Sequence, residues 1–375
     1  DGSSPTTAVG STAELAKQLD APVLLVIDGS AMARSAAAMA SGYAQFDPNL
    51  RVVGVLFNRI SSEEHYRLLE EAVEQETSLE VVGYLQPDPS FTVPDRHLGL
   101  RTALEQGTMD LYDRLTRAAM QTVDLDKIEA LAQSTGPLNP YPGPSPQGVM
   151  DREKGKVRVG VAYDPAFCFY YADNLDLLEA EGAELIKFSP MHDMHLPAVD
   201  LLYLGGGYPE LYGEVLANNV TIRKAVREFA AQGGIIYAEC GGLMYLTQGI
   251  RDFEGRCHEM VGIFPAEAVM RKPGLTLGYR EVEMTRRSVL GEAGMRARGH
   301  EFHYSVLVSK GPLEYACSMT DAQGRARAQD GLIAGNTIAL YTHLHFASQP
   351  HFAKSLISSA RKNCSRPAAV RAKAR

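Results

Sequence analysis

The chain has 375 residues, 45% hydrophobic and 22% charged, a composition that suits a soluble globular protein and gives enough length for two domains. A net charge of −8 argues against nucleic acid as the main partner, and no apolar run is long enough to cross a bilayer or serve as a secretory signal. Five cysteines, odd in number and without metal-type spacing, argue against a disulfide framework or a zinc site and point to a reducing, cytoplasmic compartment.

In chain order, the patterning predicts helix over 13–19, strand over 23–27, helix over 31–43, strand over 52–57, helix over 63–74 and a short strand over 80–84. Strands alternating with helices imply a parallel sheet covered on both faces. Asp28 follows the first strand, where an aspartate either approaches Mg²⁺ and a phosphate-bound water or caps a helix. Asn58, with Arg59, directly follows the second strand, a place where asparagine commonly serves a turn. Residues 133–156 contain Gly-Pro-Leu-Asn-Pro-Tyr-Pro-Gly-Pro-Ser-Pro-Gln-Gly, which sustains neither helix nor central strand and reads as an interdomain linker.

After the linker, segments 157–163, 175–181, 184–188, 201–204, 222–232 and 235–238 repeat the alternation, with no convincing internal sequence repeat. The run Ile-Ile-Tyr-Ala-Glu-Cys-Gly-Gly-Leu-Met-Tyr-Leu places Cys240 between an apolar strand and a Gly-Gly pair that can open a helix. A side chain at such a turn is pushed out of the sheet, and the N–H groups that follow favour a thiolate. The competing reading is a buried core cysteine, which suits Cys168, Cys257, Cys317 and Cys364. Two features single out Cys240. The segment Leu-Leu-Tyr-Leu-Gly-Gly-Gly-Tyr-Pro-Glu-Leu-Tyr ends an apolar strand in Gly205, Gly206 and Gly207, whose N–H groups can hold an oxyanion. Segment 338–346, Ile-Ala-Leu-Tyr-Thr-His-Leu-His-Phe, reads as one strand that delivers His343 and His345 near its end, supplying a histidine to activate the thiol. His300, Glu301 and His303 have short spacing, but alternating faces of a strand explain them better than a metal site. Residues 363–375 read as a basic, disordered tail.

Several stretches taken together resemble the cobyrinic (or hydrogenobyrinic) acid a,c-diamide synthase family. They are Tyr-Leu-Gly-Gly-Gly-Tyr-Pro-Glu, Ala-Glu-Cys-Gly-Gly-Leu-Met-Tyr-Leu, Gly-Tyr-Arg at 278–280, Arg-Gly-His-Glu-Phe-His-Tyr-Ser at 298–305 and Tyr-Thr-His-Leu-His-Phe. The resemblance spans nearly the whole chain. It implies an α/β protein of two domains. Residues 1–132 would form a P-loop-type, dethiobiotin-synthetase-like parallel-sheet domain, and residues 157–362 a class I glutamine amidotransferase-like α/β domain. It further implies glutamine, ATP with Mg²⁺, and a corrinoid as partners. In that reading a Cys240 thioester releases ammonia, which amidates the a and c acetate carboxylates of cobyrinate or hydrogenobyrinate after ATP has activated them. The oligomeric state is left open.

Residue by residue, the family's Tyr-x-His pattern falls on His343. His345 occupies the place where class I amidotransferases commonly carry a glutamate, so a Cys240–His343 dyad is expected, with His345 a packed core histidine. Gly205, Gly206, Gly207 and Gly241 would bind the oxyanion. Asn58 occupies the position at which this ATPase superfamily reads adenine, a task an amide can perform because it donates and accepts at once. Asp1 matches an acidic position near the metal, and Thr12 one near substrate or nucleotide. Pro94 to Leu100 is another family-like stretch. Phe169, Tyr170 and Tyr171 suit the domain interface, a large flat ligand or the core. The family's Gly-Lys-Ser/Thr phosphate loop does not occur in this sequence, so the first domain reads as lacking its first part, through truncation or real loss. A glutaminase without ATP chemistry and an inactive binding module stand as alternatives.

Overall fold

A computed structural model describes residues 6–92, 108–136 and 156–364. The chain divides into two compact units, Asp1–Tyr141 and Pro142–Arg375. Asp1, the stretch 94–100, most of the Pro/Gly-rich segment and residues 365–375 lie outside the described residues.

In the first unit, strands β1 (Val23–Asp28), β2 (Val52–Asn58) and β3 (Glu80–Leu85) form a parallel sheet in the order β1-β2-β3. Helices Ser35–Phe46 and Glu63–Glu76 pack on it through Ala36, Ala37, Ala40, Leu69 and Val73, which meet Ile27, Val55 and Phe57. The helix expected to begin at residue 31 begins instead at Ser35, because Ala31 has φ +56°, outside the right-handed region. Ser11 and Ser62 cap their helices by accepting the N–H of Glu14 and His65, which satisfies donors a helix start leaves open.

The second unit begins with β4 (Val157–Ala162), β5 (Ala183–Phe188), β6 (Leu201–Leu204) and β7 (Ile235–Glu239). It continues through β8 (Thr247–Arg251), β9 (Cys257–Glu259), β10 (Phe264–Met270), β11 (Thr276–Met284), β12 (Arg296–His303) and β13 (Ser305–Ser309). The last strands are β14 (Tyr315–Asp321), β15 (Asp330–Ala334), β16 (Thr337–Leu340) and β17 (His343–Leu344). Ten of them form one mixed sheet, β17-β12-β11-β14-β15-β16-β7-β6-β4-β5, and β13-β10-β8-β9 form a second.

The part from β16 to β5 is parallel, and its strands β16, β7 and β6 are buried on both faces, which is why they are mostly apolar without alternation. Leu201 and Tyr203 of β6 join one core with Leu356 and Ile357 of helix His351–Cys364. Leu202 and Leu204 join the other, with Ile222 and Val226 of helix Val220–Ala231. Each such leucine contributes about 1.5–3 kcal/mol by leaving water. The last helix runs through positions 363 and 364, where the tail was expected to begin.

One predicted strand proves to be two. Segment 338–346 breaks after Leu340, because the buried Asp330 carboxylate accepts the N–H groups of Tyr341 (2.9 Å) and Thr342 (3.0 Å) and the Thr342 hydroxyl (2.8 Å). The chain thereby leaves β7 and pairs again as β17 with β12, with His343 opposite His300.

Candidate active site

Cys240 sits between β7 and the six-residue helix Gly241–Leu246, with φ +46° and ψ −101°. A non-glycine residue held there costs on the order of 1–3 kcal/mol, so its surroundings must enforce the conformation. They do so through the Cys240 N–H, which donates to Leu340 O at 2.7 Å, and through its carbonyl, which accepts the Met244 N–H at 3.0 Å. Gly242 brings this helix hard against β6: its N–H donates to Gly205 O at 3.0 Å, and a Cβ there would run into the Leu204 carbonyl.

The thiol is 5% exposed, and its hydrogen bond goes to Phe302 O at 3.8 Å. Burial raises its pKa well above the ordinary thiol range, and the Glu210 carboxylate raises it further, followed by Glu239 and Glu301. The Gly241 N–H acts as the turn was expected to act, toward the thiolate, but burial outweighs it and favours the thiol.

His343 is equally buried, at 5% exposure. Its ring lies against Gly206, where any Cβ would collide with Cε1, and stacks on His300 at 4.8 Å and 9°. Burial, with His300 and His303 nearby, lowers its pKa to about 3, which keeps the imidazole neutral and opposes its protonation until a compensating charge develops beside it. A 2.7 Å hydrogen bond joins His300 Nδ1 to the Tyr171 hydroxyl. His345 is half-buried and pairs with Asp173 at 3.3 Å, not packed in the core as expected.

The glycine segment divides. The Gly205 N–H donates to the Tyr170 hydroxyl at 2.9 Å and the Gly206 N–H to Phe169 O at 3.2 Å, so neither is free for an oxyanion. The N–H groups of Gly207 and Gly241 donate to no backbone oxygen, and a Cβ on Gly241 would lie 3.1 Å from Gly207 N. The expected four-glycine donor set thus narrows to Gly207 and Gly241. Tyr170 through its hydroxyl and Phe169 through its carbonyl support this segment.

Sequence reasoning missed two buried polar residues. Glu239 accepts the hydroxyls of Tyr203 (2.9 Å) and Tyr237 and the Leu344 N–H (3.0 Å), tying the strand before Cys240 to the strand of His343. Burial raises its pKa to about 7 despite these donors. Asn174 grips the other side, donating to Leu344 O and accepting from Phe346 N–H, both at 2.7 Å. The signal for Glu239 was a lone carboxylate closing an otherwise apolar strand. Asn174 had no comparable signal. Of the cysteines expected in the core, Cys317 is buried, Cys168 is half-buried and Cys257 is exposed.

In the first unit, Asp28 and Asn58 are paired neighbours at the carboxyl ends of β1 and β2, the edge at which open α/β sheets bind ligands. Asp28 accepts the Ser30 N–H and hydroxyl on one oxygen and pairs with Arg59 at 3.1 Å on the other. Asn58 Oδ1 accepts the Arg59 N–H at 2.9 Å. Both Asp28 oxygens are engaged, and among the described residues no group of three His, Cys, Asp or Glu could hold a metal ion. Nor, among them, is any helix long and apolar enough to cross a membrane.

A family model described as a CobB/CobQ-like glutamine amidotransferase domain matches residues 158–351, and an AAA domain model matches residues 2–95. The cobyrinate a,c-diamide synthase of Syntrophotalea carbinolica is 42% identical over 366 residues, covering 96% of this chain and 79% of that protein. Those of Priestia megaterium and Salmonella typhimurium are each 40% identical over 355 residues, covering 93% and 94% of this chain and 75% and 76% of theirs. On that extent of likeness, the chain belongs to the cobyrinate a,c-diamide synthase family.

Proposed function

We propose that the second unit hydrolyses glutamine at Cys240 and that the ammonia serves an ATP-dependent amidation of the a and c carboxylates of cobyrinate. Family membership makes the chain a glutamine amidotransferase ligase of cobalamin biosynthesis that uses ATP. The observation that carries the residue assignment is the pair of N–H groups, Gly207 and Gly241, that donate to no backbone oxygen beside a thiol held at a strand-to-helix turn.

His343 takes the thiol proton as Cys240 Sγ bonds to the amide carbon, and the carbonyl electrons move onto oxygen. The N–H groups of Gly207 and Gly241 hold that oxyanion, at roughly 3 kcal/mol for each well-placed donor. Collapse expels ammonia, which carries away the His343 proton. Water, deprotonated by the same imidazole, then cleaves the thioester to glutamate. The neutral state of His343 and the protonated state of Cys240 are the starting forms this sequence requires. In the first unit, Asn58 is the proposed adenine contact, since its side-chain NH₂ is available while its oxygen is engaged by Arg59. Mg²⁺ would arrive with the nucleotide, whose phosphates it neutralises.

The test supplies the full chain with Mg-ATP, cobyrinate and either glutamine or an ammonium salt, and follows the product by mass. The native chain should form the diamide from both nitrogen sources, and Cys240→Ala from ammonium alone. Diamide formation from glutamine by Cys240→Ala would refute the assignment. Failure with both sources, alongside continued glutamate release by the native chain, would leave only the glutaminase half of the proposal standing.

A further inference from the structure

Glu210 follows the glycine segment, in the turn Pro209–Tyr212, and is 8% exposed. Among the described residues its carboxylate has no side-chain partner. Its hydrogen bond comes from its own backbone N–H, and no basic group offsets its charge. It stands at the nucleophile: Pro209 packs against Gly241, and the Glu210 carboxylate is the charge felt most strongly by the Cys240 thiol. It also acts on Tyr341, two residues before His343.

A buried carboxylate without a cation is expensive, because desolvation penalises the charge and nothing returns the loss. Placed beside a nucleophile it is doubly unfavourable, since it also opposes formation of a thiolate. Other buried carboxylates of this unit are compensated. Glu301 meets Arg280, Glu267 meets Arg251 and Lys310, and Glu239 accepts three donors. Glu210 is the exception, and its turn packs through Pro209 against Gly241, the residue that follows Cys240. The missing cation is then one that substrate brings. Glutamine carries a single positive charge, the α-ammonium, four bonds from the carbon that Sγ attacks.

We infer that Glu210 receives the α-ammonium of glutamine and so restricts the site to amides of an α-amino acid. The inference rests on the glutaminase reading and goes further by naming the group that selects the substrate. An ammonium seated there also neutralises the charge that opposes thiolate formation, so the nucleophile becomes easier to deprotonate only when the correct substrate is bound.

The experiment measures ammonia release by the full chain from glutamine and from glutaramate, the same five-carbon amide acid without the α-amino group. The preference, taken as the ratio of the two kcat/KM values, should fall about 10- to 100-fold in Glu210→Gln, the range expected when a charge-assisted hydrogen bond is lost. Most of that change should appear in KM for glutamine. Glu210→Asp, which keeps the charge on a shorter arm, should retain part of the preference, and iodoacetamide labelling of Cys240 reports that the pocket is intact. An unchanged preference in Glu210→Gln overturns the inference while leaving the glutaminase reading in place. Glutamine hydrolysis that is absent from the native chain, or unaffected by Cys240→Ala, overturns both.

Discussion

At the carboxyl ends of β1 and β2 the polar groups face water, whereas at the carboxyl ends of β6 and β7 they are buried. Asp28 and Arg59 have side chains 50% and 65% exposed and satisfy each other. Cys240, His343, Glu239 and Glu210 are all below 10% exposure, and burial moves the pKa of every one of them. Both are parallel-strand edges where ligands bind in such sheets. They differ in how much of the chemistry the protein holds before a ligand arrives. In the second unit the polar groups are buried, their pKa values are shifted by that burial and the Cys240 turn is fixed by its backbone hydrogen bonds, so the proposed reaction draws on the side chains themselves. In the first unit the described groups are engaged with one another, and the chemistry resides in the nucleotide they would contact.

Four substitutions sharpen that contrast, in descending order of effect. His343→Asn removes the proposed base and should lower kcat for glutamate release by about 10²–10⁴, with little change in glutamine KM. A loss under tenfold would show that another group deprotonates Cys240. Gly206→Ala places a methyl against the imidazole. Displacing a reacting group by about 1 Å costs on the order of 10²-fold in rate, so kcat should drop about that far while circular dichroism stays native.

Glu239→Gln probes the clamp through stability. Burial lifts its carboxyl from the ordinary 4.5 to about 7. Because the folded state holds the extra proton, the native chain loses stability as pH rises through that window. Relative to native, Glu239→Gln should therefore gain on the order of 1–3 kcal/mol between pH 5 and pH 8 in urea unfolding of the second unit. A constant difference across that range would mean that Glu239 is ionised throughout. Finally, Arg59→Ala breaks an exposed ion pair of the kind that contributes little, and the thermal midpoint of the first unit should not move measurably. A clear drop would mean that this edge is more organised than its exposure implies.

Much of the scaffold was readable because its pattern is local. Apolar runs at Val52–Asn58 and Leu201–Leu204 announce buried parallel strands, and the glycines flanking Cys240 announce a turn. What could not be read depends on distant partners. Asp330 breaks the strand that carries His343 by capturing two N–H groups eleven and twelve residues away, and nothing near residue 341 signals it. Of the four glycines expected as oxyanion donors, Gly205 and Gly206 give their N–H groups to the Tyr170 hydroxyl and the Phe169 carbonyl, partners more than thirty residues away. The helix expected at residue 31 was delayed by a positive φ at an alanine, a residue type that gives no warning of it. The charge states of Cys240 and His343 follow from burial, which residue identity alone does not specify.

The most direct test of the central claim is an acid quench of the full chain during turnover of glutamine, followed by mass analysis of the peptide that contains Cys240. The account requires a glutamyl group on that peptide, joined through sulfur, lost on treatment with hydroxylamine and absent from Cys240→Ser. Steady glutamate release with no adduct at Cys240, or release that persists in Cys240→Ser, would contradict it.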